Sequence, residues 1–451
     1  MKSWIRIAVL AGLIASLGAS QAQTTPARAP ATAVESHALP PIGPPTGAPA
    51  SFDPVKATNA YLAQVNGAAR ARSDSYFEGG YVLTLFDTLY VIAICALLLW
   101  SRVSAHIRDF AERQTRSRFW QATLYGGPFI LLLTVLTFPL TLYEDFFREK
   151  SYGLMNQTLL SWFLDFLTST GITLIIGMIA ITALYAAIRR LGRLWWTGAT
   201  GLFLVFAVVG SVIGPVMIAP LFNKFAPMAE GTLKHDVLTL AAANGIPAQN
   251  VYVVDQSRQS DRISANVSGF LGTTRISLND NLLNKSSHDE VLAVLGHEMG
   301  HYVLDHAVFQ LTLLTVVALV CFLFLHYGFM LVASLFGGSW DVRRIDDPAG
   351  LPLLVALGAI FLMLATPVTN TISRTAEIQA DMYGLNAARK PDAFATAVLK
   401  LSVYRKLDPS PFEEFVFYDH PAGRTRLWEA MRWKAGHIND PDIKLAAPSP
   451  Q

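Results

Sequence analysis

The run His297-Glu298-Met299-Gly300-His301 is the part of this sequence best equipped for chemistry. On an α-helix, positions i and i+4 lie on one face about one turn apart. Two imidazoles at that spacing can grip one metal ion. Glu298 then sits a fraction of a turn away, beside the metal's open position, where it can take a proton from an attacking water. Imidazole nitrogen combined with carboxylate oxygen makes the usual open catalytic zinc site. One zinc ion per chain is therefore the expected cofactor. The apolar run Val291-Leu292-Ala293-Val294-Leu295 would bury the motif within a helix, and Gly300 would let that helix approach a neighbour closely.

Two histidines leave zinc one protein ligand short. His306 and Asp305 are turned away from the face of His297 and His301 on a continuous helix. Glu290 lies two turns before His297. Glu377 is the better candidate, in the polar island Ser373 to Asp381 that directly follows an apolar span. Glu377 and Asp381 are again i and i+4. One carboxylate can bind the metal while the other accepts the N–H of a ligand histidine.

The elements that must hold these residues are largely in lipid. Of 451 residues, 52% are apolar and only 15% charged, against about 25% charged in soluble domains. The net charge of +2 argues against nucleic acid as a partner. Cys95 and Cys321 sit inside apolar runs and make neither a disulfide framework nor a thiolate metal site. Residues 1–22 read as a secretory signal peptide or first anchor, with Lys2 and Arg6 ahead of a short apolar core. Residues 23–75 read as a Pro/Ala-rich linker followed by a short helix around Asp53 to Arg72.

Six apolar runs follow. Four lie within 76–221: Gly80 to Trp100, Ala122 to Tyr143, Leu159 to Ile188, and Trp195 to Leu221. Two lie within 307–368: Ala307 to Phe336 and Leu351 to Pro367. Between these groups, residues 222–306 read as a zinc peptidase domain. It has a strand at Val251 to Val254, and a hairpin pairing Arg262 to Ser268 with Thr274 to Leu278 around Gly269 and Gly272. Residues 369–433 would complete that domain, and 434–451 form a tail. Asp87 and Asp165 are acidic residues in or beside spans, where a carboxylate either marks function or lies near an interface or a water-filled cavity without doing chemistry. The fold class expected is mainly α, a polytopic membrane helix bundle carrying a zincin-type metallopeptidase domain with a small β-hairpin or sheet.

Several further pieces resemble one family. They are Glu149-Lys150-Ser151-Tyr152-Gly153-Leu154-Met155-Asn156-Gln157, Ile218 to Phe225, Val291 to His301, Glu377-Ile378-Gln379-Ala380-Asp381, and His420-Pro421 followed by Arg426. Together they resemble the type I CAAX prenyl proteases, membrane zinc metallopeptidases related to the bacterial heat-shock membrane protease. The resemblance covers roughly Glu144 to Trp433. It implies that His297, His301 and Glu377 bind zinc, that Glu298 is the general base, and that Asp381 supports the ligands. It also implies that Asn266 holds the substrate backbone, and that His420, supported by Arg426, stabilises the oxyanion or holds the substrate. The family fold it implies is a ring of membrane helices enclosing a chamber, capped by the zinc domain.

The function expected is peptide-bond hydrolysis by a zinc-activated water, acting on peptides or membrane proteins. A transporter or channel would leave the metal constellation unexplained. A catalytically silent chaperone or scaffold would have no need of Glu298. Basic residues cluster at Arg102 to Arg118, Arg189 to Arg193, and Arg343-Arg344. Counting spans puts all three clusters on one side, which the positive-inside rule makes cytoplasmic. The expected location is a bacterial inner membrane, multi-pass, with the zinc domain on the periplasmic or exported side.

Overall fold

Hydrocarbon offers a peptide group no hydrogen-bond partner, so apolar runs of this length must close their own bonds as helices. They do so in the computed structural model of the protein, which describes residues 52–268 and 274–443. The signal-like segment, nearly all of the Pro/Ala-rich stretch, the Gly269–Gly272 turn and the end of the tail lie outside the described residues.

A short helix, α1 (Pro54–Leu62), is capped by Asp53, whose side chain accepts from the Val55 and Lys56 N–H groups. Among the described residues, five helical stretches are long and apolar enough to cross a membrane. The first is α2 (Gly67–Trp100). It starts thirteen residues earlier than its apolar run because its polar leading turns find partners: Arg70 pairs with Asp408 at 3.5 Å, and the Tyr76 hydroxyl bonds Glu149. The amphipathic α3 (Val103–Gln114) leads to α4 (Arg118–Leu142), which continues through a π-helical turn at Tyr143–Arg148.

The third stretch, Leu159–Leu221, is broken at Gly192–Leu194 into two mutually packed arms, α5 (Leu159–Leu191) and α6 (Trp195–Ile213). Gly192 takes φ 53° at the break, a left-handed value that favours glycine. The six apolar runs of the sequence thus fall on five continuous stretches, two of them on this one.

Next comes a four-stranded mixed sheet in the order β1-β2-β4-β3. Its strands are β1 (Phe225–Pro227), β2 (Val251–Val254), β3 (Ala265–Ser268) and β4 (Arg275–Asn279). The expected hairpin is the antiparallel pair β3–β4, with Asn266 opposite Ser277. The sheet adds a parallel β2–β4 pair and an antiparallel β1–β2 pair. Strand β1, three residues ending in proline, is too short to carry an alternation signal. Helices α7 (Thr232–Ala243), α8 (Asp280–Lys285) and α9 (His288–Val303) accompany the sheet. Val237, Val251, Ile276, Leu278, Leu295 and Met299 form the shared core.

The last two stretches contain α10 (His306–Trp340) and α11 (Leu351–Ala388). The 38-residue α11 passes through Pro367 without a break, so one rod carries the polar island from the apolar span to the part of the fold that holds α9 and the sheet. Helices α12 (Pro391–Leu401), α13 (Pro411–Phe417) and α14 (Gly423–Gly436) close the chain. Tyr61 of α1, Phe394 of α12 and Leu427 of α14 share a separate core. Inside it, the fully buried Lys434 ammonium is paired with Asp392 at 2.7 Å. The two cysteines are buried and free.

Candidate metal centre

Helix α9 starts with a capping box. The Ser287 hydroxyl accepts from the Glu290 N–H, and Glu290 Oε2 accepts from the Ser287 N–H at 2.6 Å. Lys400 Nζ also donates to that carboxylate, at 2.6 Å. Glu290, weighed above as a ligand, is thereby committed to the helix start and away from the metal motif.

The ligands meet because α9 and α11 cross at small residues. A Cβ on Gly300 would lie 3.0 Å from Ala380 Cα, and one on Gly384 would lie 2.6 Å from the His297 backbone nitrogen. Gly296 and Gly300 on α9 are i and i+4, as are Ala380 and Gly384 on α11. This lets the two backbones touch, as helices with small residues at every fourth position do. The candidate site residues lie beside these contacts on each helix: His297 and His301 on α9, Glu377 and Asp381 on α11. One crossing therefore positions all four.

His297 Nε2 and His301 Nε2 are 3.2 Å apart. Glu377 Oε2 is 3.3 Å from His297 Nε2, and Glu377 Oε1 is 3.5 Å from His301 Nε2. A tetrahedral ion bound at zinc–nitrogen distances of about 2.0–2.1 Å separates its ligand atoms by about 3.3 Å. The three donors already stand at that spacing, and they are the metal-binding group found among the described residues.

The donor chemistry fits as well. Asp381 Oδ1 accepts from His297 Nδ1 at 2.7 Å, which leaves His297 Nε2 as a lone pair turned toward the other donors. Glu377 Oε2 is buried with no hydrogen-bond partner. Two imidazole nitrogens and an orphaned carboxylate oxygen converging on one point call for a positive charge between them, a proton in the metal-free site or a metal that displaces it, so the residues fit a bound metal.

Asp381 is itself clamped by Arg426, whose Nε and Nη2 donate at 2.7 and 2.6 Å. Such a bidentate fork fixes the carboxylate that orients His297. In the metal-free site, burial disfavours the charged His297 ring, but Asp381 and Glu377 outweigh it and push its pKa up to about 10. A metal must therefore displace a proton there. Burial raises the Glu298 pKa above the usual carboxylate value, with His297 and His301 pulling the other way. A more basic carboxylate is better able to take up a proton near neutral pH.

His420 Nε2 lies 3.3 Å from Glu377 Oε1, and its Nδ1 is 2.9 Å from Asp419 Oδ1. Thus His297, His301, Glu377, Asp381, Arg426 and His420 come together. Asn266 reaches the site indirectly. It lies on edge strand β3, which packs against α9, and its Oδ1 is buried without a partner.

Sequence reasoning missed two neighbours. His306, set aside because of its helical phase, lies with Nδ1 3.0 Å from His301 Nδ1. The chain leaves the helix at Leu304, and Asp305 takes φ 52°, so the phase argument does not carry across the break. A non-glycine residue in that conformation leaves little trace in sequence, although aspartate tolerates it better than most. Arg405 is the second: its Nη2 lies 3.3 Å from His420 Nε2. Nothing in its local pattern marks it out.

A multi-span helix bundle capped by a metal-binding helix crossing of this kind defines a membrane-embedded metallopeptidase. Comparison with known proteins agrees. Residues 60–224 match the profile described as "CAAX prenyl protease N-terminal, five membrane helices", and residues 227–434 match Peptidase family M48. The metalloprotease YhfN of Bacillus subtilis, described as uncharacterized, is 31% identical over 338 residues, 74% of this chain and 79% of its own. CAAX prenyl protease 1 of Saccharomyces cerevisiae is 29% identical over 327 residues, 68% of this chain and 71% of its own. The crystal structure of Ste24p from S. mikatae shares the fold, with a TM-score of 0.67 at 24% identity over 84% of this chain and 95% of that one. The chain belongs to peptidase family M48 and is a membrane metalloprotease of the CAAX prenyl protease type.

Proposed function

We propose that the protein is a zinc endopeptidase, with one ion held by His297, His301 and Glu377. The observation that carries this reading is the trio of donor atoms at tetrahedral spacing around an unpartnered carboxylate oxygen. When bound, zinc would supply Lewis-acid polarisation of the scissile carbonyl and acidify the attacking water. Glu298 takes the proton from that water and delivers it to the leaving amine. Asp381, held by Arg426, keeps His297 in its ligating tautomer. His420 stands close enough to Glu377 to donate to the oxyanion of the tetrahedral intermediate or to the substrate. The substrate backbone lies extended along the free edge of β3, where Asn266 fixes its register.

The substrates proposed are peptides or segments of membrane proteins. The Saccharomyces cerevisiae relative carries the name CAAX prenyl protease 1. For this chain the role proposed is quality control or peptide turnover at a bacterial inner membrane.

The active site is proposed to face the periplasmic or exported side. Three observations support this orientation. Arg102 bonds the Ser339 carbonyl, Arg343 pairs with Glu112 at 2.8 Å, and the Tyr185 hydroxyl near the end of α5 bonds the Asp347 carbonyl. The arginine-rich connections after α2, α5 and α10 thus gather at one end. His306, at the start of the 35-residue α10, is a full helix away, on the order of 50 Å at 1.5 Å per residue. If the basic end is cytoplasmic, the metal site lies across the membrane.

Metal analysis of the purified protein in detergent, with cleavage of quenched peptides before and after chelation, tests the chemistry. Absence of a bound divalent metal, or cleavage indifferent to chelator, would remove the zinc reading. Alkaline phosphatase fused after Trp433 tests the orientation: an inactive fusion with a bright fluorescent-protein counterpart would reverse it.

A further inference from the structure

His306 belongs to none of the roles above, yet it is 3% exposed and directly abuts a metal ligand. Its Nδ1 lies 3.0 Å from His301 Nδ1, and its Nε2 lies 2.9 Å from Gln379 Oε1. The two rings meet edge to face, with centroids 5.0 Å apart and planes at 73°. With the Gln379 amide oxygen turned toward His306, as the structure has it, and both rings neutral, these contacts have one self-consistent proton arrangement. An amide oxygen only accepts, so His306 Nε2 must carry a hydrogen and donate it to Gln379. His306 Nδ1 is then a bare acceptor, and His301 Nδ1 must carry the hydrogen it receives. That leaves His301 Nε2 as a lone pair, 3.5 Å from Glu377 Oε1 and 3.2 Å from His297 Nε2. His301 is thereby fixed as the tautomer that can ligate, just as Asp381 fixes His297.

We infer that His306 and Gln379 are positioning residues for His301, forming a relay from Gln379 through His306 to the metal ligand; the inference rests on the metal-site reading above. The relay also joins parts of the fold. His306 heads α10, and Gln379 lies on α11 two residues beyond Glu377. Both membrane-crossing helices therefore hold the second histidine in place, and the αL turn at Asp305 brings the His306 ring back toward it. Outer partners of metal-bound histidines typically contribute 10–100-fold to metal affinity.

The test uses full-length protein in detergent. It reads zinc affinity by chelator competition and the visible absorption bands of the Co2+-substituted protein, which report ligand geometry independently of turnover. His306→Ala is expected to weaken metal binding about 10–100-fold and to shift the Co2+ bands. His306→Gln is expected to restore most of the affinity, because its amide oxygen can accept from His301 while its NH2 group donates to Gln379. Gln379 is exposed, so Gln379→Met opens no cavity. That variant should shift affinity the same way but less, and Gln379→Glu, which keeps an acceptor, should bind metal as the parent does.

Wild-type affinity with an unchanged Co2+ spectrum in His306→Ala would overturn the relay. So would a His306→Gln variant as impaired as His306→Ala, which would assign His306 to packing. Should His306→Ala fail to fold, equal affinities for Gln379→Met and parent would overturn it instead. Failure of the metal-site reading is separately visible, because the parent protein itself would then bind no metal.

Discussion

Replacing Gly384 with alanine should damage the metal site by pushing on the backbone of α9 at His297, without altering any ligand side chain. An ideal Cβ at 384 would lie 2.6 Å from the His297 nitrogen, 2.9 Å from His297 Cα and 3.0 Å from the Gly296 carbonyl carbon. All three are backbone atoms of α9, so no side chain can swing aside. Ordinary contact needs about 3.4–3.5 Å, so the two helices must part by roughly 0.8 Å. His297 and His301 would move with α9, while Glu377 stays on α11. Overpacking of this kind costs about 1–3 kcal/mol, or roughly 5- to 150-fold in metal affinity if it falls on the bound state. A misplacement near 1 Å costs about 100-fold in rate. The assay is chelator competition together with peptide cleavage, with Gly338→Ala as the control. A Cβ at Gly338 meets nothing within 4 Å, so that variant should behave as the parent. Parent-like zinc affinity and turnover in Gly384→Ala would refute the idea that backbone contact at this crossing sets the ligand geometry.

Two other variants probe separate layers. Glu377→Ala should largely abolish stoichiometric metal, whereas Asp381→Ala should weaken binding by about 10–100-fold; equal retention of metal in both would reassign the third ligand. Arg108→Ala should lower the thermal midpoint of the detergent-solubilised protein. The Arg108 side chain is 2% exposed and pairs at 2.8 Å with Asp347, itself 5% exposed. Removing one partner of a buried pair costs about 3–5 kcal/mol, so an unmoved midpoint would show that solvent compensates the Asp347 carboxylate fully.

The parts of this fold legible in the sequence are those written in short-range spacing. The i, i+4 histidines, the i, i+4 carboxylates, the apolar runs and the β3–β4 hairpin each carry their own period. Glu377 could be chosen over Glu290 because the polar island after an apolar span is conspicuous, and the structure adds that Glu290 is occupied by its capping box and Lys400. Less legible were features that depend on where the chain stops being regular. The break at Leu304–Asp305 brings His306 beside His301, although it is not one of the three metal donors. The early start of α2 depended on Asp408 and Glu149, which are distant in sequence. Gly300 was readable as a point of close approach, but its facing partners Ala380 and Tyr383 become apparent only once α9 and α11 cross.

The central claim is that the constellation at this crossing hydrolyses peptides with Glu298 as its base, and the direct measurement is metal content and cleavage rate in Glu298→Gln. The substitution keeps the side chain's shape and removes its basic carboxylate, while His297, His301 and Glu377 are untouched. The account predicts close to one equivalent of zinc, as in the parent, with cleavage reduced by at least about 100-fold, the lower range of general-base contributions. Parent-like cleavage by the metal-loaded glutamine variant would contradict it.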